Sequence, residues 1–389
     1  MTARFPIPET RLPAPRAGYD QIPLYAPGTA PAPVDLSDTV NLWGAPPAAL
    51  GALRAAPAAA VWGYPALYNA ELRAPLAAYA GVREDEVVTG CGSDDVIDCA
   101  LRAFAEPGAT VAHAAPTFSM VPIYARANGL VPVAVPLEGR DYALDADRLL
   151  ACDPAVVYLC SPNNPTATAL ARETVLRVVE RARGLVLLDE AYADYVVADA
   201  QTRAEVFTPE APGWGRVLAL RTLSKAFGLA GLRVGYGVGH PSVVRAVERA
   251  RGPFKVTYPA ELAARAALGA GDDALGWVRA HARLAVAQRA RLEDGLRALG
   301  LDPAPSAAHF AFVPVPGGQA VAAALRARGV GVRVFAGLPR EVPALAASGG
   351  VGLRLNAAPE PMQRALLDAL GEVLAAGTGS RESGTGGAE

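Results

Sequence analysis

Residues 184–192 read Gly184-Leu185-Val186-Leu187-Leu188-Asp189-Glu190-Ala191-Tyr192. Unbroken aliphatic residues between a glycine and an acid form the pattern of a strand covered on both faces, because a half-exposed strand would alternate apolar with polar side chains. Asp189 then falls just past the carboxyl end of that strand, where open α/β sheets keep their ligand sites. Taken alone, such an acid serves equally well as a turn residue or a helix cap. The next apolar run, 217–220, leads into Arg221-Thr222-Leu223-Ser224-Lys225-Ala226-Phe227-Gly228-Leu229-Ala230-Gly231-Leu232-Arg233. Lys225 is one of only two lysines in 389 residues, the other being Lys255. A lysine in a glycine-rich turn is often simply solvated. One set among apolar residues beside two hydroxyls and an arginine is instead desolvated and kept near a second cation, which lowers its pKa and suits Schiff-base formation with a carbonyl.

Working outward, short β-branched runs at 87–88, 110–111, 131–135, 156–159, 185–188 and 217–220 alternate with Ala/Leu/Arg segments of helical period. This is βαβ rhythm and predicts a mostly parallel sheet flanked by helices on both faces. After 233–238 the texture changes. Residues 275–299 read as one long connecting helix stopped by Gly300, followed by strand-like 309–315, helical 318–328, strand-like 330–334 and 351–355, and a helix from Pro359. These elements predict a smaller α+β unit. The proline-rich start, to about residue 35, reads as an extended arm, and the Gly/Ser/Thr/Glu-rich end as a disordered tail. The expected division is therefore 1–45, arm and part of the small domain; 46–285, large domain; 286–376, small domain; and 377–389, tail.

Two glycine patterns approach a dinucleotide fingerprint without completing it. Gly90-x-Gly92 continues to Asp95 and Gly235-x-Gly237-x-Gly239 continues to His240, so neither is GxGxxG and a nicotinamide dehydrogenase is disfavoured. The first pattern still places Ser93 and Asp94 at a helix N-terminus directly after a strand, where free amides and the helix dipole suit a phosphate. Ser93 as a plain helix cap is the alternative. Composition narrows the classes further. With 52% hydrophobic and 19% charged residues the chain can build real cores, and a net charge of -2 gives no surplus for a nucleic-acid backbone. Four cysteines without CxxC spacing and four histidines without HExxH predict neither a disulfide framework nor a metal site. No stretch has a signal-peptide core or membrane-spanning length, so the expected location is the cytoplasm.

The set Ser161-Pro162-Asn163-Asn164-Pro165-Thr166, Asp189-Glu190-Ala191-Tyr192, Ser224-Lys225 with Arg233 eight residues on, and Arg354 in Gly352-Leu353-Arg354-Leu355-Asn356 resembles the fold type I pyridoxal-phosphate aminotransferases of class I/II. Within them the pattern is most similar to histidinol-phosphate aminotransferases. The resemblance runs from about residue 25 to 375 and implies a large domain with a mostly parallel seven-stranded sheet plus a smaller α+β domain built from both termini. It implies pyridoxal 5′-phosphate held as a Schiff base on Lys225, which also moves the proton in transamination. Asp189 is implied to pair with the pyridine nitrogen, Asn164 and Tyr192 with the ring oxygen, and Phe118 to stack on the ring. Ser93, Asp94, Thr222, Ser224 and Arg233 are the implied phosphate donors. Tyr64 is implied to reach the phosphate of a neighbouring subunit, hence a homodimer, and Arg354 to clamp the substrate α-carboxylate.

For the substrate side chain the resemblance points to Tyr25 and Arg333, with Asn164 also at the substrate. The family's Asn-Glu-Asn-Pro stretch is expected at Trp43-Gly44-Ala45-Pro46, a loop that would have lost its polar groups and gained an indole. The glycine that usually follows Asn-Asn-Pro-Thr is Ala167 here, which predicts an altered turn with unaltered chemistry. The leading function is amino-group transfer from an amino acid, or an amino-alcohol phosphate such as histidinol phosphate, to a 2-oxo acid. A lyase, decarboxylase or oxidative enzyme on the same fold is the alternative, because this cofactor's chemistry branches with the α-bond held perpendicular to the ring. A binding protein with a dead site is disfavoured, since every cofactor-contact position remains chemically competent.

Overall fold

The computed structural model describes residues 14–16, 18–24, 32–269 and 273–382, with the side chains of 21 and 377–382 left aside. Its large sheet has seven strands: β2 (Val87–Cys91), β3 (Thr110–Ala115), β4 (Val131–Pro136), β5 (Val156–Cys160), β6 (Leu185–Asp189), β7 (Val217–Thr222) and β8 (Val234–Gly239). They lie in the order β2-β8-β7-β6-β5-β3-β4. Pairing is parallel from β7 through β4, and β8 runs antiparallel between β7 and β2. Strands β5, β6 and β7 are buried along their whole length, as aliphatic residues on both faces require. One core covers each face. Val157, Leu159, Val186 and Leu188 point into the first, and Tyr158, Cys160, Leu185 and Leu187 into the second.

The smaller unit joins both ends of the chain. Strand β1 (Val34–Asp35) pairs in parallel with β10 (Val330–Gly331), while β9 (Phe310–Pro314), β11 (Arg333–Phe335) and β12 (Gly352–Asn356) form an antiparallel sheet in the order β11-β12-β9. The continuous strand expected over 330–334 is split at Val332, because its first half serves one sheet and its second half another. A third core gathers Leu36 with Leu292, Leu296, Val313, Leu355 and Leu366. The helix Ala274–Ala298 links the two units, since Val278, Ala282 and Ala285 enter the first core and Leu292 and Leu296 the third.

At the N-terminus, Arg16 and the Tyr19 hydroxyl both donate to the Ala127 carbonyl, so this part of the arm lies on the large unit. At the other end the last helix runs Glu360–Glu382, into the stretch expected as a tail. Residues 383–389 lie outside the described residues. Among the described residues no helix is long and apolar enough to cross a membrane, and no cluster of three metal-binding side chains occurs.

Candidate active site

The carboxyl ends of β5, β6 and β7 open onto one pocket with about 530 Å³ of atom-free space. Asp189 closes β6, and its side chain is almost fully buried. One carboxylate oxygen accepts the Tyr158 hydroxyl at 2.6 Å, and the other accepts the Ala191 amide at 3.0 Å. Register explains the first contact: Tyr158 on β5 sits opposite Leu187, two residues before Asp189 and on the same face. Burial pushes the carboxyl up to about 6, against the pull of these two hydrogen bonds.

Lys225 lies in the turn after β7. Its Nζ donates to Thr39 Oγ1 at 2.7 Å, and that oxygen also shares a hydrogen bond with the Tyr192 hydroxyl at 3.1 Å. Desolvation, joined by the nearby Arg354 charge, brings the amine down to about 8; Asp94, Asp38 and Asp189 oppose the shift. A free amine is therefore accessible near neutral pH, whereas an exposed lysine would be almost wholly protonated.

The same pocket holds groups suited to an anion. Ser93 and Asp94 stand in the first turn of the helix Gly92–Phe104, and the cap position belongs to Cys91, not to Ser93. Gly92 has φ +78°, and a Cβ there would meet Arg233 Nη2 at 2.5 Å, so glycine lets the guanidinium approach the helix end. Arg233 donates to Asp94 at 3.1 Å. Burial raises the Asp94 pKa despite this partner. The Thr222 hydroxyl donates to Ser224 at 2.9 Å, and both line the pocket with Phe118 and Asn164. A cation, two hydroxyls and the first turn of a helix thus line the same pocket as a buried carboxylate and an amine.

Arg354 reaches in from β12, where its guanidinium donates to Asn164 Oδ1 and to the Ser37 carbonyl, each at 2.7 Å. The rings of Phe310 and Phe335 flank it at 5.6 and 5.5 Å. Arg333 on β11 is its direct cross-strand partner. Tyr64 is not brought to the pocket within one chain; it is 80% exposed and stacks on Phe254 at 4.6 Å. Tyr25 lies outside the described residues.

In the N-terminal loop Trp43 packs partly buried against the first core. The polar groups that reach the lysine turn come from just upstream: Thr39 holds Lys225, and the Asn41 side chain donates to the Ala226 carbonyl at 2.9 Å. The loop has kept polar contacts, displaced in sequence from the Trp43-Gly44-Ala45-Pro46 stretch. Ala167 has the left-handed conformation, φ +64°, that a glycine would adopt freely. Sequence reasoning missed Thr39, Tyr158 and Cys160. A tyrosine inside an otherwise aliphatic strand was the signal available for Tyr158; Thr39 carried none.

Residues 34–370 match the family described as aminotransferase class I and II. The chain belongs to this family. The chain is 38% identical over 323 residues to histidinol-phosphate aminotransferase 1 of Thiobacillus denitrificans, covering 81% of this chain and 79% of that one. It is 37% identical over 346 residues to the aromatic amino acid aminotransferase of Nocardia farcinica, covering 84% and 94%. Among solved structures, histidinol-phosphate aminotransferase from Sinorhizobium meliloti in complex with pyridoxal-5'-phosphate aligns with a TM-score of 0.77 at 26% identity, covering 89% and 92%. The expected fold type I architecture, with its mainly parallel seven-stranded sheet, is present. As a class I/II aminotransferase the protein is a pyridoxal-phosphate-dependent enzyme of amino-group transfer.

Proposed function

We propose that this aminotransferase carries pyridoxal 5′-phosphate on Lys225 and moves an amino group from an amino acid, or an amino-alcohol phosphate of the histidinol phosphate type, to a 2-oxo acid in two half-reactions. The observation that carries the reading is one pocket holding a lowered-pKa lysine, a buried carboxylate and groups suited to an anion. The donor set fits the cofactor. Amides of the Gly92–Phe104 helix with Ser93, Thr222, Ser224 and Arg233 suit a phosphate, and Asp94 takes part through its amide while its carboxylate stays with Arg233. Asp189 suits a protonated ring nitrogen, Asn164 and Tyr192 suit a ring oxygen, and Phe118 suits the ring face.

Bound there, pyridoxal phosphate supplies a carbonyl that takes the amino group and a ring that absorbs the electron pair left at the substrate α-carbon. Asp189, steadied by Tyr158 and the Ala191 amide, would hold the proton at the ring nitrogen. Lys225 Nζ would act as the base that takes the proton from the substrate α-carbon and delivers it, across the bridging nitrogen, to the carbon that had been the cofactor's carbonyl. Arg354 would present two donors to the α-carboxylate of an amino acid, or to its equivalent, the phosphate of an amino-alcohol phosphate, exchanging its present acceptors Asn164 and Ser37, an interaction worth about 1.5–3 kcal/mol when charge-assisted. Arg333, beside Arg354 on the next strand, and Tyr25 judge the side chain.

The enzyme acts as a homodimer in which Tyr64 completes the partner's phosphate site. Exposed Val61, Trp62, Tyr64, Leu67 and Phe254 support an apolar face of this kind, and sedimentation as a monomer at assay concentration would count against it. Four free cysteines support a reducing, cytoplasmic setting. The function is tested by single-turnover mixing of the loaded enzyme with histidinol phosphate, phenylalanine and aspartate, following the cofactor spectrum. Conversion to pyridoxamine phosphate with release of the 2-oxo product is expected from at least one. Release of carbon dioxide, or product without pyridoxamine phosphate, would instead establish the lyase reading.

A further inference from the structure

Lys225 makes its short hydrogen bond to a residue 186 positions away in sequence, on the stretch that leads from β1 toward the large unit. Thr39 is buried, and its one hydroxyl meets both Lys225 Nζ at 2.7 Å and the Tyr192 hydroxyl at 3.1 Å. The backbone around it is fixed at several points. Arg354 donates to the Ser37 carbonyl, the Asn356 side chain donates to the Val40 carbonyl at 2.9 Å, and Asn41 donates to the Ala226 carbonyl in the lysine turn itself. The ring of His309 closes the back of the arrangement, stacked on Tyr195 at 4.1 Å and lying 5.7 Å from the Tyr192 ring. Burial, joined by the charges of Lys225 and Arg354, holds the pKa of that imidazole well below its ordinary value, against the pull of the Thr39 backbone that it faces.

We propose that Thr39 is a positioning residue for the reactive amine: its hydroxyl oxygen holds Lys225 Nζ and joins it to the Tyr192 hydroxyl, making the segment after β1 part of the catalytic centre. Three atoms, Nζ, Oγ1 and the phenol oxygen, then form one hydrogen-bonded chain. An oxygen accepting an N–H stabilises the charged amine more than the neutral one, so Thr39 raises the lysine's proton affinity against the desolvation that lowers it. The other charges facing the amine are Arg354, which lowers it, and Asp94, Asp38 and Asp189, which raise it. None of these side chains contacts Nζ as Thr39 does among the described hydrogen bonds.

The inference rests on Lys225 being the reactive lysine, yet its test needs neither cofactor nor substrate. The full-length chain freed of cofactor is treated with trinitrobenzenesulfonate across pH 6–11, and labelling of Lys225 and Lys255 is quantified by peptide mass. The second lysine serves as an internal reference. In Thr39→Val the labelling midpoint of Lys225 is expected to fall by about half a unit to one unit, making it about three- to fivefold more reactive at pH 7 while Lys255 is unmoved. Thr39→Ser is expected to restore the wild-type profile, which a purely steric role would not do. Thr39→Ala gives the same readout without a branched side chain should Val be poorly accommodated. Superimposable Lys225 profiles in wild type and the hydroxyl-free variant, or a shift shared equally by Lys255, would overturn the proposal. Loss of cofactor binding to Lys225 in the wild type would overturn the functional reading and leave this profile to stand or fall by itself.

Discussion

A carboxylate buried as deeply as Asp189 destabilises the fold unless something positive or hydrogen-bonding answers it, and among the described residues of the cofactor-free chain Tyr158 and the Ala191 amide do so directly. Its raised pKa, about 6, fixes the sign of the consequence. The folded state holds this proton more tightly than the unfolded one, so stability is full below about pH 4 and declines as pH rises through about 6. Thermal melts of the cofactor-free Asp189→Asn variant should therefore match wild type near pH 4 and gain on it by about 1–3 kcal/mol by pH 7. A difference independent of pH would mean that Asp189 titrates normally. The positions of Asp189 and Lys225 were legible because each follows its own buried strand directly. Tyr158 and Thr39 were not, because their contacts span 31 and 186 residues and depend on strand register and on the docking of the N-terminal segment.

At the scale of elements, the lysine turn and the N-terminal loop are fitted together by backbone contact. Gly228 has φ +66°, and a Cβ there would stand 1.9 Å from the Gly44 carbonyl oxygen. Gly228→Ala must then part the two loops as well as strain the turn, so urea denaturation should show a loss of about 2 kcal/mol or more, accompanied by weaker cofactor retention. A variant as stable as wild type would show that the loops do not bear on each other. Buried strands and the long connecting helix could be read from aliphatic runs and helical period. The break at Val332 could not, since valine recurs at every second position through Val330-Gly331-Val332-Arg333-Val334 and the two halves are divided by which neighbour each one meets. The contacts of the N-terminal loop were not legible for a related reason: Thr39 and Asn41 look unremarkable in sequence and meet the turn of Lys225 only when the chain folds back onto it.

Across the whole molecule, the site is assembled from both units. The large sheet provides Asp189 and Lys225, the small sheet provides Arg354, and the segment after β1 is bonded to both through Thr39 and Ser37. The two lysines show what this assembly does to an amine. Lys255 is bonded to Asp95 at 2.8 Å, which raises its pKa and keeps it charged, whereas burial brings Lys225 down to about 8. Only the second is prepared to attack a carbonyl at neutral pH. The most direct measurement is borohydride reduction of the cofactor-loaded enzyme followed by peptide mapping. The account predicts the pyridoxyl mass on the peptide containing Lys225, and finding it on the peptide containing Lys255 would contradict it.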